Sequence, residues 1–280
     1  MDAPATSEAA VVAHRPFRPV WGRLLPFVIV HVAAVAGVVV VGVEAAWVLL
    51  AAGLYVVRVL GTTLGLHRYF SHRSFRTSRW FQLVLALWAN TTLMRGPIQW
   101  AANHRHHHRT SDGPADFHSP GRRGLLHAHV LWFLDRELSE TPVKPCRDLE
   151  RYPELRALDR YYPLPAYALA AALYALGGWP WFVWGFLVST VATWHAVFLI
   201  NSGAHVWGSR RYDTPDDSRN NALLALLLLG EGWHNNHHHD MHAAWHGRRW
   251  WEVDLTYYAL RALAAVGLVW GLRRAGDARP

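Results

Sequence analysis

Residues 24–43 read LLPFVIVHVAAVAGVVVVGV, and His31 is the only strongly polar side chain in the run. About 20 apolar residues in a helix cross the hydrocarbon core of a bilayer, so this run predicts a transmembrane helix. Glu44 interrupts, and residues 47–66 form a second span broken only by Arg58. The very short turn between them predicts a helical hairpin. A second pair follows, 161–178 and 181–201, joined at GGWP. The apolar part of its first member covers only 165–177, so that helix should begin near Tyr161. Residues 80–94 and 255–272 are poorer runs. The first is short and contains Asn90, Thr91 and Thr92, the second carries Arg261, and 221–229 is shorter than either. They predict helices that lie on the membrane or pack under a cytosolic cap. Counting two of them as spans would give six; four is the reading adopted.

Basic residues set the expected orientation. Of 28 Lys and Arg, three precede the first span, fifteen lie between Arg68 and Arg160 and nine follow the fourth span, while the two hairpin turns carry none. By the positive-inside rule both termini and the central loop face the cytoplasm. The chain thus divides into a cytosolic N-terminal segment, 1–23, and one membrane domain, 24–280, whose cap is built from 67–160 and 202–280. Arg15, Arg18 and Arg23 precede the first run as they would a secretory signal, but no small-residue cleavage site follows it cleanly. It reads as a retained helix in the inner membrane. Trp21, Trp47, Trp179 and Trp181 fall at span ends, where an aromatic belt sits.

Composition agrees with this picture. Only 17% of residues are charged, against about a quarter in a soluble protein. A net charge of +8 is compatible with nucleic acid, but no RNA- or DNA-binding motif accompanies it and the basic residues sit between apolar runs. Nucleic acid is excluded as a partner. The single cysteine, Cys146, excludes an intrachain disulfide and a Cys-based zinc site.

The chain holds 19 histidines, and many are grouped. In NHRHHHR, His104, His107 and His108 stand at i, i+3 and i+4, on one helical face, while His106 points away. In HNNHHHD the same spacing selects His234, His237 and His238 and leaves His239 off the face. Asn201 and His205 of NSGAH share a face at i, i+4. His67 and His72 of HRYFSH are five apart, about 140° around an α-helix, and converge only if the helix ends or distorts there. Imidazole suits Fe, Zn, Cu and Ni. So many convergent rings are too many for one ion, and two ions with open positions fit the count. His14, His118, His127, His242 and His246 read as surface or supporting residues, and His31 as a buried polar contact. His195, inside the fourth span, is of more interest because intramembrane polar residues tend to be functional. Asp112, Asp116 and Glu231 are candidates to orient ligand rings. Gln99 and Trp100 are candidates to line a substrate passage, with core packing as the alternative.

HRYFSH, HRHHH, NSGAH and GEGWHNNHH, in this order, resemble the boxes of the membrane fatty acid desaturases of the stearoyl-CoA (Δ9) type. The likeness runs from the second span to WWEVDLTYY at 250–258. It implies an all-α integral membrane protein: four transmembrane helices in two hairpins, with a helical cytosolic cap holding a His-rich dimetal site. It implies a non-haem di-iron centre on His67, His72, His104, His107, His108, His205, His234, His237 and His238, with Asn201 joining through a water. It implies O2 as co-substrate and a bent tunnel for a fatty acyl chain. Departures bear on the carrier. Phe117 replaces the Pro of an Asp-Pro-His step, Asp240-Met241 stands where Phe-Pro is usual, and Ala102-Asn103 replaces an Arg-Asp pair that acyl-CoA enzymes commonly carry. An acyl chain on a lipid or acyl carrier protein is as compatible as acyl-CoA. No cytochrome b5-like segment is fused, so electrons are expected from a separate donor, such as ferredoxin or a cytochrome b5-like protein with its reductase. The rival readings are a membrane di-iron hydroxylase or monooxygenase, and a membrane metal transporter or sensor.

Overall fold

The structure is a computed structural model that describes residues 16–277, so His14 lies outside the described residues. The main elements in chain order are α1 (Trp21–Val41), α2 (Ala45–Gly61) with a π-helical extension (Thr62–Ser71), β1 (Arg76–Thr77), α3 (Arg79–Asn90), α4 (Pro97–Thr110), α5 (Pro153–Arg160), α6 (Leu164–Pro180), α7 (Ser189–Ser202), α8 (Ala222–Leu227), α9 (His234–His239), α10 (Leu255–Ala265) and β2 (Val269–Trp270).

Among the described residues, three helical runs are long and apolar enough to cross a membrane: Trp21–Val41, Ala45–Ser71 and Leu164–His205. The flank of α1 shows why: Val35, Val39 and Val40 are 68%, 78% and 85% exposed, a face that water would penalise. Gly42, at φ 83°, closes α1 in a conformation open to glycine and leads into α2. The third run is 42 residues long, but Gly178 is non-helical (φ 63°, ψ −151°) and divides it at the GGWP turn. Beyond the break the chain returns: Ala166, Ala170 and Leu173 of α6 share a core with Val183, Trp184 and Phe186. Arg58 is fully buried between spans, where its guanidinium donates to Ser189 Oγ (2.7 Å), Phe186 O (3.3 Å) and Thr91 O (2.6 Å). A buried cation without a carboxylate is held here by oxygen dipoles.

The cap has its own core, in which Leu66 and Phe70 of the α2 extension meet Leu85 of α3, Ala101 of α4 and Leu260 of α10. Asp159 of α5 accepts the free N–H groups of Ile98 (3.0 Å) and Gln99 (2.9 Å), satisfying the start of α4. Three expectations are corrected. Residues 255–272 are not one helix: Gly267, at φ 75°, follows the end of α10, and the chain goes on as β2. β2 pairs antiparallel with β1, so the chain is not wholly helical. The second span also runs on past residue 66, to Ser71.

Candidate metal centre

The extension of α2 solves the problem posed by His67 and His72. In a π-helix the backbone bonds run from i to i+5, and His72 N–H donates to His67 O at 3.2 Å. Residues five apart then stand over one another, and the two rings lie 4.8 Å apart. α4 brings His104, His107 and His108, α9 brings His234, His237 and His238, and the 3-10 turn after α7 brings His205.

These nine rings divide into two groups. His67, His72, His104, His108 and His237 form one, and His107, His205, His234 and His238 the other; within each, ligand atoms lie within 4.8 Å of one another. The i, i+3, i+4 spacing is used crosswise. Each helix gives its i, i+4 pair to one group and its i+3 ring to the other, so α4 and α9 are stitched together by both groups.

Carboxylates stand behind four of the rings. His205 Nδ1 donates to Asp112 (2.8 Å), His107 Nδ1 to Asp116 (3.2 Å) and His238 Nδ1 to Asp216 (2.6 Å), while His67 Nδ1 pairs with Glu231. A neutral ring that donates through Nδ1 has only a lone pair at Nε2. Yet His205 Nε2 faces His234 Nε2 at 3.1 Å, His67 Nε2 faces His237 Nε2 at 3.1 Å, and His238 Nε2 is buried without a partner. His237 Nε2 also lies 3.0 Å from His108 Nε2, which lies 3.1 Å from His104 Nε2, itself 2.8 Å from His72 Nε2. A ring nitrogen carries one proton or one lone pair, so protons cannot satisfy this run of contacts, whereas a shared cation can. An imidazole–metal bond is about 2.1 Å, which places two nitrogens at right angles on one ion about 3.0 Å apart. The donor set therefore fits a metal ion in each group.

Burial favours the neutral form at six of the rings. It drives His72, His104, His108, His234 and His237 well below the ordinary imidazole range, with neighbouring rings adding to the effect. His238 falls to about 4 through burial, which outweighs the Asp216 carboxylate. For Asp112 burial pulls upward, but the bond and charge of His205 win and hold it at about 2. Glu231 is also held low, against its burial, by His67 and Arg68. Arg68, fully buried, donates to Glu231 (3.1 Å), Asp254 (2.9 Å) and Ala244 O (2.7 Å).

The other sequence candidates fall in several places. Asn201 is half-buried one turn before His205. Trp100 stacks on His104 (4.8 Å, 20°). Gln99 is exposed. His106 bonds Ala115 O (2.9 Å) and His239 stacks on Tyr212 (3.8 Å), both off the metal face. His118, His127 and His246 are buried supporting residues and not surface ones, and His242 Nδ1 donates to His72 O (2.7 Å). His195 touches none of the nine rings; it bonds His31 and His129. Asp216, Arg68 and His129 were missed. The signal for Asp216 was available in principle: each buried ligand ring needs an acceptor for its second nitrogen.

Known proteins share this chain's sequence over most of its length. The profile described as Fatty acid desaturase matches residues 43–271. A chloroplastic palmitoyl-monogalactosyldiacylglycerol delta-7 desaturase of Arabidopsis thaliana is 40% identical over 81% of this chain and 62% of its own length. An icosanoyl-CoA 5-desaturase of Limnanthes douglasii is 39% identical over 79% of this chain and 63% of its own. An sn-1 stearoyl-lipid 9-desaturase of Anabaena variabilis is 39% identical over 77% of this chain and 79% of its own. The chain spans about three fifths of the length of the first two relatives.

Proposed function

This chain belongs to the fatty acid desaturase family, and from that premise we propose that it is a membrane enzyme that desaturates a fatty acyl chain, at Δ9, with O2 and a non-haem di-iron centre. One observation carries the reading: nine mostly buried rings sorted into a five-ring and a four-ring pocket side by side. When bound, two irons with O2 and two electrons supply an oxidant able to take two hydrogens from adjacent methylenes, with two protons taken up and two waters released.

The chain's own residues hold and shield that chemistry. The five-ring set and the four-ring set would each hold one iron, and Asn201 would complete the latter through a water. Asp112, Asp116, Asp216 and Glu231 fix which nitrogen of each supported ring faces the metal. Trp100, stacked on His104, would wall the tunnel that sets the register of the acyl chain. The break at Gly178 supports reading the three apolar runs as four crossings, and the distribution of basic residues supports a cytoplasmic site and cytoplasmic termini, at the inner membrane. The acyl group would arrive on a lipid, CoA or acyl carrier protein, and electrons from a separate ferredoxin or cytochrome b5-like protein with its reductase.

The transporter reading needs ligands along the spans. Apart from His67 and His205 at the span ends, His31 and His195 are the histidines there among the described residues, and each is bonded to the other at 3.0 Å. Expression of the full chain in cells with defined saturated lipids, followed by analysis of fatty acid methyl esters, tests the proposal. New monounsaturated chains are expected. Unchanged double-bond content with iron-loaded, reducible protein would refute it, and oxygen retained in the product would favour a hydroxylase.

A further inference from the structure

Away from the histidines, the cap carries a cleft of about 670 Å³ between the loop after His72, the start of α5 and the C-terminal strand. Four arginines line it, Arg73, Arg76, Arg151 and Arg273, against one carboxylate, Asp277. The charge of Arg73, Arg76 and Arg151 is not cancelled from behind. Arg73 reaches Asp148 (2.8 Å), but Asp148 also receives Arg105 (2.8 Å), so one carboxylate serves two guanidiniums. Arg151 lies over the Tyr152 ring at 4.8 Å and donates to its hydroxyl at 2.8 Å, which orients it without neutralising it. Among the described residues no carboxylate forms an ion pair with Arg76 or Arg151. Tyr152 and Trp270 add aromatic faces to the wall.

A concave space of this size suits a small ligand rather than a flat protein face. Guanidinium forks match the oxygens of phosphate and bind it in pairs. We propose that this cleft is a binding site for a phosphate-bearing ligand, distinct from the metal centre. The same chemistry is offered by a soluble phosphorylated molecule and by the headgroup of an anionic lipid. Ligand here would also steady the loop that follows His72, because Arg73 is the next residue and Arg273 N–H already bonds Ser74 O at 2.9 Å.

The full chain, iron-loaded in nanodiscs of phosphatidylcholine, is titrated with inorganic pyrophosphate and followed by thermal stability and calorimetry. Saturable binding that raises Tm is expected. The double variant Arg76→Glu, Arg151→Glu should bind roughly tenfold more weakly or worse and keep its iron content, which shows that it is folded. Nanodiscs containing phosphatidic acid separate the two sources. A lipid headgroup would raise Tm by itself and block pyrophosphate, whereas a soluble ligand would bind equally in both discs. Equal responses from the wild-type chain and the variant, or no response in either disc, would overturn the assignment.

Discussion

In the cap, His205 Nε2 stands 3.1 Å from His234 Nε2; between the spans, His31 Nε2 stands 3.0 Å from His195 Nε2. The distances match and the chemistry does not. His31 Nδ1 donates to Phe27 O (2.7 Å), so its Nε2 can only accept. His195 Nε2 must then donate, and its Nδ1 accepts from His129 Nε2 (2.9 Å), whose own Nδ1 lies 3.1 Å from the Ser202 hydroxyl, itself also bonded to Phe198 O (3.0 Å). Three neutral rings, each both donor and acceptor, close a row that asks for no ion. In the cap four of the nine rings spend Nδ1 protons on carboxylates, and the Nε2 atoms meet in more contacts than their protons can satisfy. What stands behind a ring thus decides whether its front binds a metal or a neighbour.

The strongest way to break this contrast is to remove a ligand. His237→Ala takes one ring from the five-ring pocket and should reduce desaturation to background, with iron falling from about two toward one per chain. Iron analysis and product assay on the same sample check it; full activity would remove His237 from the ligand set. Next come the carboxylates. Asp216→Asn keeps the shape but weakens the hold on the His238 tautomer, and should cost about 10–100-fold in iron affinity or activity. Glu231→Gln should cost as much at the other pocket. An unchanged iron titration in both variants would mean that the contrast does not rest on the group behind the ring.

What the sequence could reveal divides along the same line between local and distant partners. Six rings were legible because their spacing is local: i, i+3, i+4 in α4 and α9 needs only a helix. His67 and His72 were half-legible, since a spacing of five demanded a distortion without naming the π-helix that supplies it. Their partition between two ions was closed to view, because the crosswise sharing depends on how α4 and α9 cross. Asp216 lies 22 residues from His238 in a loop with no periodic pattern. The row of His31, His129 and His195 joins three segments up to 164 residues apart, and no local rule brings them together. Among the spans, Gly178 was marked by GGWP, whereas the β1–β2 pair, two residues per strand, is too short for alternation to show.

Acid should separate the two regions by a smaller margin. Burial holds His238 at about 4 and His118 at about 3 in the folded protein, while a ring in the unfolded chain titrates near 6.5. The unfolded state then binds more protons, so this stability is complete above about pH 6.5 and is lost as pH falls toward the folded values. Each tenfold difference in proton affinity between the folded and unfolded ring corresponds to about 1.4 kcal/mol. Asp112, held at about 2, adds a further loss below the ordinary carboxylate range near 4. Metal-free protein should therefore lose Tm steadily between pH 6.5 and 4. A flat profile there would mean that the cap rings are not buried as neutral bases.

The smallest effect is expected in the span row, and it is the sharpest control. His195→Phe removes the middle ring and leaves His31 Nε2 and the His129 N–H without a partner. That should cost about 1–3 kcal/mol of stability, seen as a modest fall in Tm. His195→Gln carries both an acceptor and a donor, and should recover part of the loss. Neither change should alter iron content or the Mössbauer signature, because no ring of the row belongs to a ligand group. If His195→Phe released iron, the row and the centre would be one coupled unit, and the distinction drawn from their Nδ1 partners would fail.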